Sequence, residues 1–127
     1  MGSLVSESEI IDEKYARAYH LIQSGRLGEA RPLIDDLKKL ASGEPMIWIF
    51  SGFVSATLSQ KSDAESSLKK AETLAKDQPL VWFNIGIVYR RLDNSGQAKS
   101  MFSKAAKIDN TFKDKGKLAM KEEFRKL

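Results

Sequence analysis

The strongest constraint on this chain is that it repeats itself at an offset of 34 residues. The clearest copy runs from Trp82 to Asp109 and reads W-F-N-I-G-I-V-Y-R-R-L-D-N-S-G-Q-A-K-S-M-F-S-K-A-A-K-I-D. Trp82, Ile85, Gly86 and Tyr89 recur at helical spacing, and so do Ala98, Phe102 and Ala105. The breaker run Asp93-Asn94-Ser95-Gly96 separates the two patterns, so the stretch predicts two helices joined by a tight turn. Small residues at Gly86, Ala98 and Ala105 let the two axes approach, and Trp82, Tyr89 and Phe102 fill the space around the contact. Moving back 34 residues places Trp82 on Trp48, Gly86 on Gly52, Ala98 on Ala64, Phe102 on Leu68, Ala105 on Ala71 and Pro79 on Pro45. A second step reaches Lys14, Ala18, Ala30, Ile34 and Leu37, which keeps the small residue and the second helix but loses the tryptophan. One such hairpin cannot bury its apolar face alone, so consecutive copies are expected to stack.

This pattern of Trp, Gly and Tyr followed by Ala, Phe and Ala resembles the tetratricopeptide repeat, and the resemblance covers most of the chain. It implies an all-α superhelix of three helical hairpins, at residues 11–44, 45–78 and 79–112, plus a C-terminal helix. Residues 1–10 are expected to be a flexible lead-in and the first helix to run over 11–24. Gly25 and Gly28 bracket the first turn, and Pro32 lies in or just past the first turn of the second helix, where a missing N–H costs little. Ser62 with Glu65, and Asn94 with Gln97, have capping-box spacing for the fourth and sixth helices. After Asn110 the repeat spacing fails, but Phe112, Gly116, Met120, Phe124 and Leu127 still form a helical stripe. Residues 113–127 therefore predict a basic helix that caps the stack, with six basic and three acidic residues. The face of each first helix that meets the preceding hairpin is apolar in the second copy (Ile47, Val54, Leu58) and in the third (Val81, Val88, Leu92). The equivalent Glu13, His20 and Ser24 are polar, so the first copy is expected to be the open end.

The length suits one domain, and an apolar content of 42% suits an ordinary core. There is no cysteine, hence no disulfide and no thiol chemistry. No apolar run reaches the ~20 residues of a membrane span, and the polar, acidic N-terminus lacks the pattern of a secretory leader. A cytoplasmic protein is the expectation. The net charge of +4 is mild. His20 is the only histidine, with no nucleophile or ligand set spaced around it, so neither catalysis nor a metal or cofactor site is expected. The glycines act as helix punctuation or packing residues, and the two tryptophans occupy a packing place.

What the resemblance implies about function lies in the concave groove, which each first helix lines with its second, fifth, ninth and twelfth places. Tyr15, Tyr19 and Ile22 (beside Asp12), then Met46, Ile49 and Phe53 (beside Ala56), then Leu80, Phe83, Ile87 and Arg90 occupy those places, and Arg91 adds to the basic edge. The lining is mostly large and apolar, enough for a patch of several hundred Å². The expected partner is another protein offering an apolar helix or extended segment, which makes the chain a non-enzymatic adaptor or chaperone. A self-assembling scaffold, its groove filled by another copy or by the chain's own terminal segment, is the alternative. The family's carboxylate clamp for chaperone tails is excluded, because its basic and amide places hold Tyr15, Tyr19, Phe50, Leu80 and Asn84. The groove is more similar in character to those of small three-repeat export chaperones of bacterial secretion systems. Nucleic acid is disfavoured, since the basic residues are interleaved with acids and the aromatics fall on packing or groove places.

Overall fold

A computed structural model describes residues 6–121, and all its regular structure is helical. Seven helices follow one another: α1 Glu7–Gln23, α2 Leu27–Leu40, α3 Pro45–Thr57, α4 Lys61–Ala75, α5 Pro79–Arg91, α6 Ser95–Ile108 and α7 Phe112–Lys121. They pack as the hairpins α1/α2, α3/α4 and α5/α6, and the first helix of each hairpin also lies against both helices of the hairpin before it. Helix α7 does the same to α5 and α6. The result is an all-α superhelix of consecutive hairpins.

The backbone repeats with the sequence. Each hairpin turn holds one left-handed residue, at Gly25 (φ 74°), Ser59 (φ 61°) and Asp93 (φ 60°), spaced by the same 34 positions. Glycine adopts this conformation freely, whereas Ser59 and Asp93 accept it at about 1–2 kcal/mol each. The following amide bonds back into the first helix in every copy: Arg26 to Leu21 at 2.8 Å, Gln60 to Ser55 at 2.8 Å and Asn94 to Tyr89 at 3.0 Å. These bonds close the helix end with the geometry of a C-terminal cap. The tryptophans repeat as well. Trp48 Nε1 donates to the Ser42 carbonyl at 2.8 Å, and Trp82 Nε1 donates to the Lys76 carbonyl at 2.7 Å. Each indole therefore ties its hairpin to the end of the preceding one, which is a packing role. Lys70 and Lys104, also 34 apart, lie over these rings at 5.9 and 4.6 Å.

The core forms two joined clusters, one around Ala18, Ile34, Leu37, Ile47 and Val54, the other around Leu68, Ile85, Val88, Tyr89, Met101 and Phe102. Gly86 sits where a Cβ would fall 2.6 Å from Phe102 Cε1, so α5 and α6 are as close as glycine allows. The Tyr89 hydroxyl donates to Glu72 Oε2 at 2.6 Å, which ties α5 to α4.

Three expectations need correction. Helix α1 begins at Glu7, inside the stretch expected to be a flexible lead-in, because the Ser6 hydroxyl accepts the Glu9 amide at 3.1 Å and caps it. Gly28 lies within α2, whose first residue is Leu27, instead of bracketing the turn, while Pro32 falls just past the first turn of that helix as expected. Helix α4 starts at Lys61 with no side-chain cap, so Ser62 sits in the first turn and the spacing of Ser62 and Glu65 is not used for capping. The Asn94 cap is present, its Oδ1 accepting the Gln97 amide at 3.1 Å. In α7, Phe112, Gly116 and Ala119 are buried, with Met120 partly so. Phe124 and Leu127, named with that stripe, lie outside the described residues.

Candidate functional site

The candidate groove residues come from the first helices α1, α3 and α5, which pack side by side. Their exposure divides them. Tyr19 and Leu80 stand open, at 49% and 57% of their full surface. Tyr15, Ile22, Met46, Phe53, Phe83, Ile87, Arg90 and Arg91 are half-buried. Ile49 is only 4% exposed and belongs to the core, so it cannot contribute to an open lining.

At the α1 end the two tyrosines converge on Phe50, with ring centroids 5.0 Å away for Tyr15 and 6.1 Å for Tyr19. Burial, then the Glu44 carboxylate and the neighbouring Tyr19, push the Tyr15 phenol above its ordinary range. It therefore stays a neutral hydroxyl throughout the physiological range. In the middle, Met46 touches both core clusters, and the Asn84 amide lies 3.7 Å from its sulfur. At the α5 end Phe83 packs on Phe102 and Phe112, with centroids at 5.2 and 5.6 Å, so the start of α7 covers one side of it.

The arginines do less at the edge than their adjacency implies. Arg91 turns back towards α3, where its guanidinium lies 5.2 Å from the Phe53 ring and its Nε donates to Thr57 Oγ1 at 3.0 Å. It shields part of Phe53. Arg90 faces Asp93, with a closest approach of 3.9 Å. Two adjacent helical residues point about 100° apart, which is why one side chain spans to α3 and the other stays on the turn.

Residues outside the predicted groove also form clefts. One of about 670 Å³ lies between α6 and α7, with Phe102, Ala106, Gly116 and Met120 in it and Lys99, Lys107, Lys113 and Lys117 around them. Lysines spaced by four on α7 and by eight on α6 were the available signal. A second, of about 460 Å³, opens on the α3/α4 hairpin and is lined by hydroxyls and cations. His20 is exposed on α1, beside Arg17 and Arg26. Among the described residues no group of His, Cys, Asp and Glu could hold a metal ion. No described helix is long and apolar enough to cross a membrane.

The family model described as a tetratricopeptide repeat matches residues 80–112, which span α5, α6 and the turn after them. The chain carries a tetratricopeptide repeat. The helical hairpins before it share its turn geometry, and the α3/α4 hairpin its tryptophan tie; the whole follows the α-α superhelix of that family. Tetratricopeptide-repeat domains are generally protein–protein interaction modules and typically non-catalytic. A comparison with curated proteins found no match.

Proposed function

We propose that this chain is a non-enzymatic adaptor or chaperone, which holds an apolar helical or extended segment of another protein along the face made by α1, α3 and α5. In this reading residues 11–44, 45–78 and 79–112 are three repeats, and the helix that begins at Phe112 closes their end. The observation that carries the proposal is the state of the lining. Tyr19 and Leu80 remain open at opposite ends of a row in which Tyr15, Ile22, Met46, Phe53, Phe83 and Ile87 are only half-buried. Full burial of one such side chain contributes about 1.5–3 kcal/mol, so a few of them suffice as anchors. Exposed ion pairs contribute about 0–1 kcal/mol each, so Arg90 and Arg91 adjust the orientation of a ligand more than its affinity.

Selection from a library of amphipathic and extended peptides tests this. The ligands recovered should carry bulky apolar residues and bind with a negative heat-capacity change and a shallow salt dependence. Tyr19→Ala combined with Phe53→Ala should abolish binding and leave the helical signal intact. A steep loss of affinity with salt, or greater damage from replacing Arg90 and Arg91, would move the function to the basic edge. Light scattering over a concentration series decides the alternative: mass that rises with concentration, and is reversed by Phe53→Glu and Ile87→Glu, would make another copy the occupant.

A further inference from the structure

The α3/α4 hairpin departs from its neighbours at three buried places. Ser51, Ser55 and Ser67 are 8%, 3% and 7% exposed. The residues 34 positions later are Ile85, Tyr89 and Met101, all in the core. Two of the three equivalent places in the first hairpin hold Leu21 and Leu33. Apolar volume is thus replaced by hydroxyls between helices whose separation is still held by the Gly52–Leu68 contact. The space left is the cleft of about 460 Å³.

Its polar groups are not satisfied internally. Ser51 Oγ and Ser67 Oγ share one hydrogen bond of 2.9 Å, so the pair keeps one free hydroxyl hydrogen. Ser55 Oγ forms no hydrogen bond with a described residue, and it is not closed off from the cleft, so it is free to bond to a ligand there. The charge around them is positive. Arg31, Lys38 and Lys70 line the cleft, against Asp63 alone. Lys38 and Lys70 are both held over the Trp48 ring, at 5.0 and 5.9 Å, and Arg31 donates to the neutral Gln60 Oε1 at 2.9 Å. None of the three cations is ion-paired with a described residue. The neighbouring hairpin shows what this place holds otherwise. There Tyr89 meets the carboxylate of Glu72, and stepping back 34 positions converts that pair into Ser55 and Lys38. The change makes room and reverses the sign of the charge.

We propose that this cleft binds a phosphate group. Two hydroxyl donors, two ammonium groups and the remaining guanidinium donors of Arg31 supply acceptor-only oxygens with charge-assisted hydrogen bonds, which a neutral ligand could not match. The cleft opens at the surface, so the group can be free or carried by a phosphorylated residue.

Thermal unfolding of the full chain tests the proposal, with inorganic phosphate titrated against chloride at matched ionic strength. Phosphate should raise the melting temperature saturably, and amide shifts in NMR should localise to the α2–α4 residues around the cleft. Ser55→Leu, which places leucine as at Leu21, should fill the cleft and remove the response. Ser55→Ala keeps the space and the fold and should weaken binding about ten- to hundredfold. Lys38→Gln with Lys70→Gln should weaken it at least as much. Phosphoserine run in parallel identifies the source: tighter binding than inorganic phosphate points to a modified partner residue, weaker binding to a free phosphate. An equal response to chloride, tighter binding of acetate, or an undiminished response in both Ser55 variants would overturn the site.

Discussion

The contact of α5 on α6 at Gly86 makes a quantitative prediction about stability. A Cβ added at Gly86 would stand 2.6 Å from Phe102 Cε1 and 2.8 Å from Cδ1, where carbon atoms prefer about 3.5–4.0 Å. The ring must move by roughly an ångström, and it is boxed in. Phe102 is buried, Phe83 packs on it at 5.2 Å, and its Cβ lies beside Gly116. Overpacking of this kind costs about 2–3 kcal/mol, while replacing glycine by alanine in a helix returns about 1 kcal/mol. Gly86→Ala should therefore lose about 1–2 kcal/mol, which lowers the melting temperature by roughly 3–8 °C for a chain of this size. Gly52→Ala meets the flexible Leu68 Cδ2 at 3.0 Å instead of an aromatic edge, so it should be nearly neutral. Gly28→Ala meets nothing within 4 Å and should stabilise α2 by about 0.5–1 kcal/mol. The decisive measurement is a double-mutant cycle by urea unfolding. In a Phe102→Leu background, which copies the Gly52–Leu68 pairing, the loss from Gly86→Ala should shrink to near zero. An equal loss in both backgrounds would refute the packing argument, and a loss from Gly28→Ala as well would refute the account of the glycines.

Two further outcomes follow from local geometry. Tyr89 has its acidity suppressed, first by burial and then by its hydrogen bond to Glu72, so its folded-state pKa lies well above the ordinary 10.0. Its contribution to stability is complete below pH ~10 and is lost as pH rises above that value, because the unfolded chain ionises first; Tyr89→Phe should flatten this alkaline fall in a pH series of urea midpoints. Ser6→Ala removes the cap of α1 and should cost about 1 kcal/mol, with faster hydrogen exchange confined to the amides of its first turn.

Much of the architecture was legible because one period controls several levels at once. The offset of 34 that aligns Trp48 with Trp82 also aligns the left-handed residues Gly25, Ser59 and Asp93 and the indole hydrogen bonds, so the backbone follows the same period as the side chains. Helix starts were less legible. Capping-box spacing was read at Ser62 and Asn94, but only Asn94 caps, since α4 begins at Lys61 and Ser62 already lies in its first turn. The candidate groove was legible as residue types and not as exposure. Ile49 and Phe53 occupy equivalent kinds of place on α3, yet Ile49 is closed over by neighbours while Phe53 stays half-open under Arg91. Burial at the edge of a stack depends on what the next helix brings, and no spacing within one helix encodes that.

In a periodic fold the places that break the period carry the most information. Packing explains Ala64, Ala98 and the tryptophan ties in every copy where they occur, because each copy faces the same problem of burying one face on the next. Packing does not explain Ser51, Ser55 and Ser67, since Ile85, Tyr89 and Met101 solve the same problem with apolar volume. Three hydroxyls occur together beside three cations, two of them bonded only to each other and the third open to the cleft. Random substitution towards polarity would be expected to damage isolated places. A set that shares one cleft, together with the exchange of Glu72's equivalent for Lys38, calls for a single cause acting on all of them. The lining of α1, α3 and α5 has the opposite character: it is mostly apolar, packed on the core on one side and half-open on the other. If both proposals hold, the two surfaces make separable demands, one on an apolar segment and one on an anion, and a partner that meets both would be a segment carrying a phosphate away from its apolar anchors.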